Sequence, residues 1–94
     1  MKEKDNFQKY ENGRNEAIID FYRKVKESPY GSLSRILEDI IEKYHWMPEY
    51  YKDSDVADMK YVQGFFGELN FMLWMARENK LKVNQDILNK LLTP

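Results

Sequence analysis

Cysteine is absent from these 94 residues and histidine occurs once. Without cysteine there are no disulfides and no thiolate metal ligands, so packing alone must hold the core. The lone His45 has no imidazole neighbour to share a metal and no cysteine to activate, and no serine sits in a recognisable nucleophile elbow. A chain without thiols suits a reducing interior, so a cytoplasmic location is expected. Glycine and proline are scarce too, at four and three, which leaves few points where a helix must break. Neither sign of charge dominates: 15 basic and 16 acidic residues give a net charge of -1. A nucleic-acid binder normally carries a basic excess, so no direct nucleic-acid partner is expected. Long apolar runs are also missing. The oiliest stretch, YVQGFFGELNFMLWMAREN (Tyr61 to Asn79), is interrupted by Glu68 and Asn70 and falls short of the roughly 20 apolar residues of a spanning helix. The charged start, MKEKDNFQKYENGRNE, is not followed by the apolar core of a secretory signal. No membrane partner is expected.

What is present is aromatic and helical. Rings make up 15% of the chain, enough buried area per residue for one small core. Residues 1–14 are polar apart from Phe7 and Tyr10, and Asn12-Gly13 is a turn signal, so a loose N-terminal arm is expected, docked through its two rings or holding one helical turn. Residues 15–94 form the single helical domain. Ile18, Phe21, Tyr22 and Val25 mark a first helix over Asn15 to Glu27, closed by Ser28-Pro29-Tyr30-Gly31. Leu33, Ile36, Leu37, Ile40, Ile41 and Tyr44 follow helical spacing without a miss and mark a second helix, with Ser32 as its N-cap. After the loop HWMPEYYKDS, a third helix runs from Ser54 or Asp55 to about Asn79. Its apolar residues Val62, Phe65, Phe66, Leu69, Met72, Leu73 and Ala76 cover more than half its circumference, the mark of a central helix. Asn84 caps a short last helix whose inner face is Ile87, Leu88, Leu91 and Leu92. No alternating β-branched run suggests a sheet. The expected fold is an all-α, small four-helix bundle with a long central third helix.

Charge is distributed unevenly. Residues 27–58 carry eight acids and three bases, whereas the flanking segments are each net positive by two. Within this middle third, Glu38, Asp39, Glu42, Glu49, Asp53, Asp55 and Asp58 alternate with Tyr44, Trp46, Met47, Tyr50 and Tyr51, against only Lys43 and Lys52. Some of these rings will fold under the loop. Those that stay outside would form an acidic aromatic surface for a basic protein partner, with carboxylates steering the approach and rings supplying the anchor. An inhibitor that mimics nucleic acid works by this logic. Glu38, Asp39, Glu42, Trp46, Glu49, Tyr50, Tyr51, Asp53 and Asp55 are the candidate partner-binding residues.

Other constellations have plainer readings. Gly64 and Gly67 share a helix flank with Lys60, Phe71 and Trp74. Either a neighbouring helix, the first or the last, crosses closely there, or Gly64, Gly67, Phe71 and Trp74 form a shallow groove. Glu68 would need a cation from another helix if it lies inside; no second acid or histidine one turn away makes it a catalytic acid. His45 and Glu49 make at most a two-ligand metal site, and a helix-end histidine is the better account. Asp53 to Asp58, DSDVAD, fails the calcium-loop register because Asp58 stands where glycine is required. These residues call for no metal, no cofactor and no catalytic group.

Met72 to Leu88, MLWMARENKLKVNQDIL, resembles the end of the all-α MazG-type nucleotide pyrophosphohydrolases, with a helix ending in a small residue and a base, a short connector and a capped final helix. The resemblance spans about a fifth of the chain. It places Gly64 and Gly67 where that family carries magnesium-binding acids, and so implies a non-catalytic derivative. An active form would have to draw on Asp39, Glu42 and Glu68 with magnesium. The helical layout is also similar to that of small bacteriocin immunity proteins. A helix-turn-helix DNA binder built on the second and third helices is disfavoured by the acidic outer face of the second. The expectation is a protein-binding module of inhibitor or immunity type. A homodimer is compatible with it. The abundance of lysine, asparagine, tyrosine and isoleucine suits a bacterial or phage accessory protein.

Overall fold

The computed structural model describes residues 2–28 and 31–92. Among the described residues the chain is helical and contains no strand. Five segments follow one another: α1 (Lys2–Glu27), α2 (Leu33–Lys43), the single turn α3 (Met47–Tyr50), α4 (Val56–Arg77) and α5 (Gln85–Leu92). The molecule is therefore an all-α bundle of four helices joined through one extra turn.

The start of the chain departs from expectation. α1 runs unbroken through Asn12-Gly13 and spans 26 residues, or about 39 Å at the usual rise, most of the 41 Å long axis of the molecule. Gly13 is buried, and a Cβ there would strike the backbone of α4 at Tyr61 O, with Phe65 N at 2.9 Å. Gly13 therefore serves close approach and not a turn. Gly64 on α4 does the same in return: its Cβ would meet the Tyr10 carbonyl of α1, with Arg14 N at 3.2 Å. The two glycines let the backbones of the two longest helices touch.

α1 and α4 run in the same direction. Asn6 lies by Val56, Tyr10 by Gly64, and the Arg14 guanidinium donates to Glu68 at 3.1 Å. The return leg is α2, which packs on both: Leu33 lies near Ala76, and the Tyr44 ring meets Phe65 edge-on at 5.3 Å. α4 packs against α1, α2 and α3, whereas α5 packs against α1 among the described residues. α1 packs against as many elements (α2, α4 and α5), so α1 and α4 together form the centre, and α1, not α4, is the longer of the two. The core is formed by Ala17, Phe21, Tyr22 and Val25 of α1, Ile36, Leu37 and Ile40 of α2, Met47, and Val62, Phe65, Leu69, Met72 and Leu73 of α4.

Helix ends follow local chemistry, with one exception. Asp55 caps α4 by accepting from Asp58 N at 2.9 Å. Asn84 Oδ1 accepts from Asp86 N at 2.9 Å and Ile87 N at 3.3 Å, capping α5. The Asn84 N–H donates to Tyr22 Oη at 3.0 Å, fastening that cap to α1. Ser32 holds the N-cap position of α2, but its hydroxyl pairs with that of Ser34 at 2.9 Å and leaves the helix end uncapped by a side chain. Of the expected inner face of α5, Leu88 packs on the core and Ile87 is exposed. The side chains of Leu91 and Leu92 lie outside the described residues, as do Pro29 and Tyr30.

Candidate functional site

The segment between α2 and α4 is built around two anchors. Pro48 opens the short α3 turn, where its missing N–H costs nothing. Met47 points inward and is buried. Tyr44 and Tyr51 bracket the turn and pack against the core. With these fixed, the remaining rings point outward: Trp46 is 46% exposed and Tyr50 71%. The rings form a chain of contacts, three edge-on and one tilted, from the interior to the surface. Tyr44 lies against buried Phe65, Trp46 is 6.4 Å from Tyr44, Tyr50 meets Trp46 at 5.7 Å and 89°, and Tyr51 meets Tyr50 at 4.8 Å. Each such contact adds about 0.5–1.5 kcal/mol beyond area burial, so the exposed rings are braced. The nine candidate residues thus divide: Tyr51 is a half-buried bracket, whereas Trp46 and Tyr50 are displayed.

The acids of this stretch are exposed. Glu38, Asp39 and Glu42 lie on the outer face of α2, Glu49 on α3, and Asp53 and Asp55 on the approach to α4. Three of them have local cations: Glu38 with Arg77 at 3.0 Å, Asp39 with Arg35 at 3.3 Å and Glu49 with Lys52 at 2.8 Å. Glu42 and Asp53 have no ion pair among the described residues. Exposed pairs of this kind are weak and exchange readily with an incoming cation. His45 closes the C-terminal end of α2, its Nδ1–H donating to the Glu42 carbonyl at 2.7 Å.

The groove expectation is half corrected. Gly64 is not a groove floor: the α1 backbone fills the space above it, the close helix crossing that was the alternative reading. Gly67 is open, with nothing within 4 Å of where its Cβ would be. Phe71 and Trp74 beside it are 55% and 52% exposed. Glu68 has the cross-helix partner its placement requires in Arg14, whose pKa is raised by the hydrogen bond it donates to that carboxylate and by the carboxylate's charge. Asp39, Glu42 and Glu68 are not assembled for magnesium: Asp39 faces Arg35, Glu68 faces Arg14, and no group of three histidine or acidic side chains among the described residues is placed to hold a metal ion.

Two groups escaped notice in the sequence. Asp20 is partly buried between α1 and α2, and burial, with Glu16 beside it, pushes its carboxyl above the usual range. Burial, with Glu16 and Asp20 close by, likewise raises the Tyr61 phenol. Asp20 lies on the flank of the first helix, outside the stripe of Ile18, Phe21, Tyr22 and Val25, so periodicity gave no sign of its burial. No helix among the described residues is long and apolar enough to cross a membrane. Met72 to Leu88 forms a helix end, a connector and a capped helix. No protein-family model, curated protein or solved structure matches the chain.

Proposed function

We propose that this protein is a small protein-binding module of inhibitor or immunity type, and that it engages a basic partner through the acidic aromatic surface on α2 and α3. The observation that carries the reading is the outward display of Trp46 and Tyr50, braced by Tyr44 and Tyr51, in a segment rich in exposed carboxylates. Braced rings lose little conformational freedom on binding, which is the economical way to build an anchor. Tryptophan and tyrosine are the side chains most enriched at binding hot spots. Glu42 and Asp53, with no local cation among the described residues, are the carboxylates best placed to meet lysine or arginine from the partner. Charge of this kind speeds encounter and selects among partners more than it adds affinity.

A photo-crosslinking residue in place of Tyr50 tests the reading. In extract from the native cell it should capture a protein with a basic surface. Capture should weaken as salt rises and disappear when Trp46→Ala is added. Equal capture from a crosslinker placed at exposed Gln63, on the far side of α4, would sink the proposal.

A further inference from the structure

The two displayed rings stand at right angles. The ring centres of Trp46 and Tyr50 are 5.7 Å apart and their planes meet at 89°. The backbone fixes this pairing. Trp46 and Tyr50 are four residues apart across one helical turn, with the Tyr50 N–H donating to the Trp46 carbonyl at 3.1 Å, which sets the two side chains on one face. On its other side Tyr50 is held by Tyr51, at 4.8 Å and 78°. Two rings set this way make a corner. A planar cation laid on one ring turns its N–H edge toward the face of the other, so both electron-rich faces act on the same charge. The response of these rings to a cation is visible one ring further in, where the Lys43 ammonium lies 5.3 Å from the centre of Tyr44.

We propose, on the basis of the protein-binding function above, that the corner between Trp46 and Tyr50 is an arginine-binding site and that the basic partner is recognised by a guanidinium seated in it. Charge favours a cation there. Residues 42–58 hold five acids against two bases, Lys43 and Lys52, and both lysines are engaged elsewhere, Lys43 over Tyr44 and Lys52 with Glu49 at 2.8 Å. Glu42 stands four residues before Trp46 and Glu49 directly before Tyr50, so carboxylates flank both rings along the chain. Geometry favours arginine over lysine. A guanidinium is flat and weakly hydrated, and it stacks on a ring while its N–H fork stays free for a carboxylate. An ammonium is a compact charge that holds its water. One guanidinium on exposed rings gains only a few-fold in affinity, so the corner selects the partner and the wider surface supplies the rest.

Peptides of known composition test this without the natural partner. Trp74→Phe leaves Trp46 as the only tryptophan, so tryptophan emission then reports the corner alone. Three peptides of alternating glycine and a second residue are titrated at low salt: arginine, lysine, or citrulline, which replaces the guanidinium by a neutral group of the same shape. The arginine peptide should shift the emission saturably and reach half-saturation at roughly fivefold lower concentration than the lysine peptide. The citrulline peptide should give no saturable shift. Tyr50→Ala should raise the half-saturation point for the arginine peptide roughly fivefold, whereas Tyr50→Phe, which keeps the ring, should leave it in place. No saturable shift with arginine, equal binding of citrulline or lysine, or indifference to Tyr50→Ala would overturn the arginine site. The protein-binding function stands or falls separately, on capture at residue 50: a partner captured there that the arginine peptide does not displace would remove the guanidinium seat alone.

Discussion

Gly64→Ala and Gly67→Ala add the same methyl group to the same helix, three residues apart, and should move stability in opposite directions. In both, alanine gains about 0.5–1 kcal/mol over glycine through backbone entropy and helix propensity. At Gly67 nothing lies within 4 Å of the new Cβ, so the gain stands. At Gly64 the Cβ lands on the Tyr10 carbonyl of α1, with Tyr10 C at 3.0 Å and Arg14 N at 3.2 Å. These are backbone atoms in the middle of a helix and cannot rotate aside. α1 must withdraw by roughly 1 Å to restore ordinary contact distances, which loosens Ala17 and Phe21 against Phe65 and Leu69. Overpacking of this kind costs about 1–3 kcal/mol, so the net loss is about 1–2 kcal/mol after the propensity gain. For a chain this size each kcal/mol shifts the melting temperature by about 4–8 °C. Thermal melts followed by far-UV circular dichroism, on dilute protein, should show Gly67→Ala higher by roughly 2–8 °C and Gly64→Ala lower by roughly 4–16 °C. A Gly64→Ala protein that melts at or above the parent would refute the close crossing of α1 and α4.

Asp20→Asn should raise stability at neutral pH. Burial raises the folded-state pKa of Asp20 above its ordinary 3.8, so its stabilising contribution is fully present below that value and is lost as pH rises through the folded pKa. Urea titrations across the mildly acidic range should show the parent losing stability relative to Asp20→Asn as pH rises; parallel curves would mean that the carboxylate is well solvated. Asn84→Ala removes a cap that accepts two backbone N–H groups and should cost about 1 kcal/mol; hydrogen exchange should show the loss concentrated in α5, and an unchanged exchange pattern would count against the cap. Arg14→Ala and Glu68→Ala join α1 to α4 by one partly exposed ion pair, so a double-mutant cycle should return a coupling of about 0.5–1 kcal/mol after allowance for solvent screening. A coupling indistinguishable from zero would separate the two side chains.

The segments that were legible in the sequence are those whose burial is set by their own periodicity. α2 presents Ile36, Leu37 and Ile40 to the core on strict helical spacing, and the broad apolar surface of α4 announced a helix packed on several sides. The first half of α1 was not legible, because the contact that settles it is with residues some fifty positions away. Asn12-Gly13 has the local signature of a turn, and only the Tyr61 to Phe65 backbone lying against Gly13 explains why a helix continues there. The same limit applies to the glycine pair of α4. Gly64 and Gly67 are about 60° apart around the helix, and which one is covered depends on where α1 lies. In the acidic segment the composition pointed to a surface, but the division of its rings into brackets and displayed anchors depends on how α3 turns. Met47, Tyr44 and Tyr51 take the inward positions and leave Trp46 and Tyr50 outside.

The central claim is that Trp46 and Tyr50 anchor a partner and are not needed to hold the fold. Once the partner has been captured, calorimetric titration of the Trp46→Ala, Tyr50→Ala double variant against it tests the claim most directly. The prediction is a loss of at least about 2 kcal/mol, roughly thirtyfold in affinity, with the helical spectrum of the free variant unchanged. Affinity equal to that of the parent would contradict it.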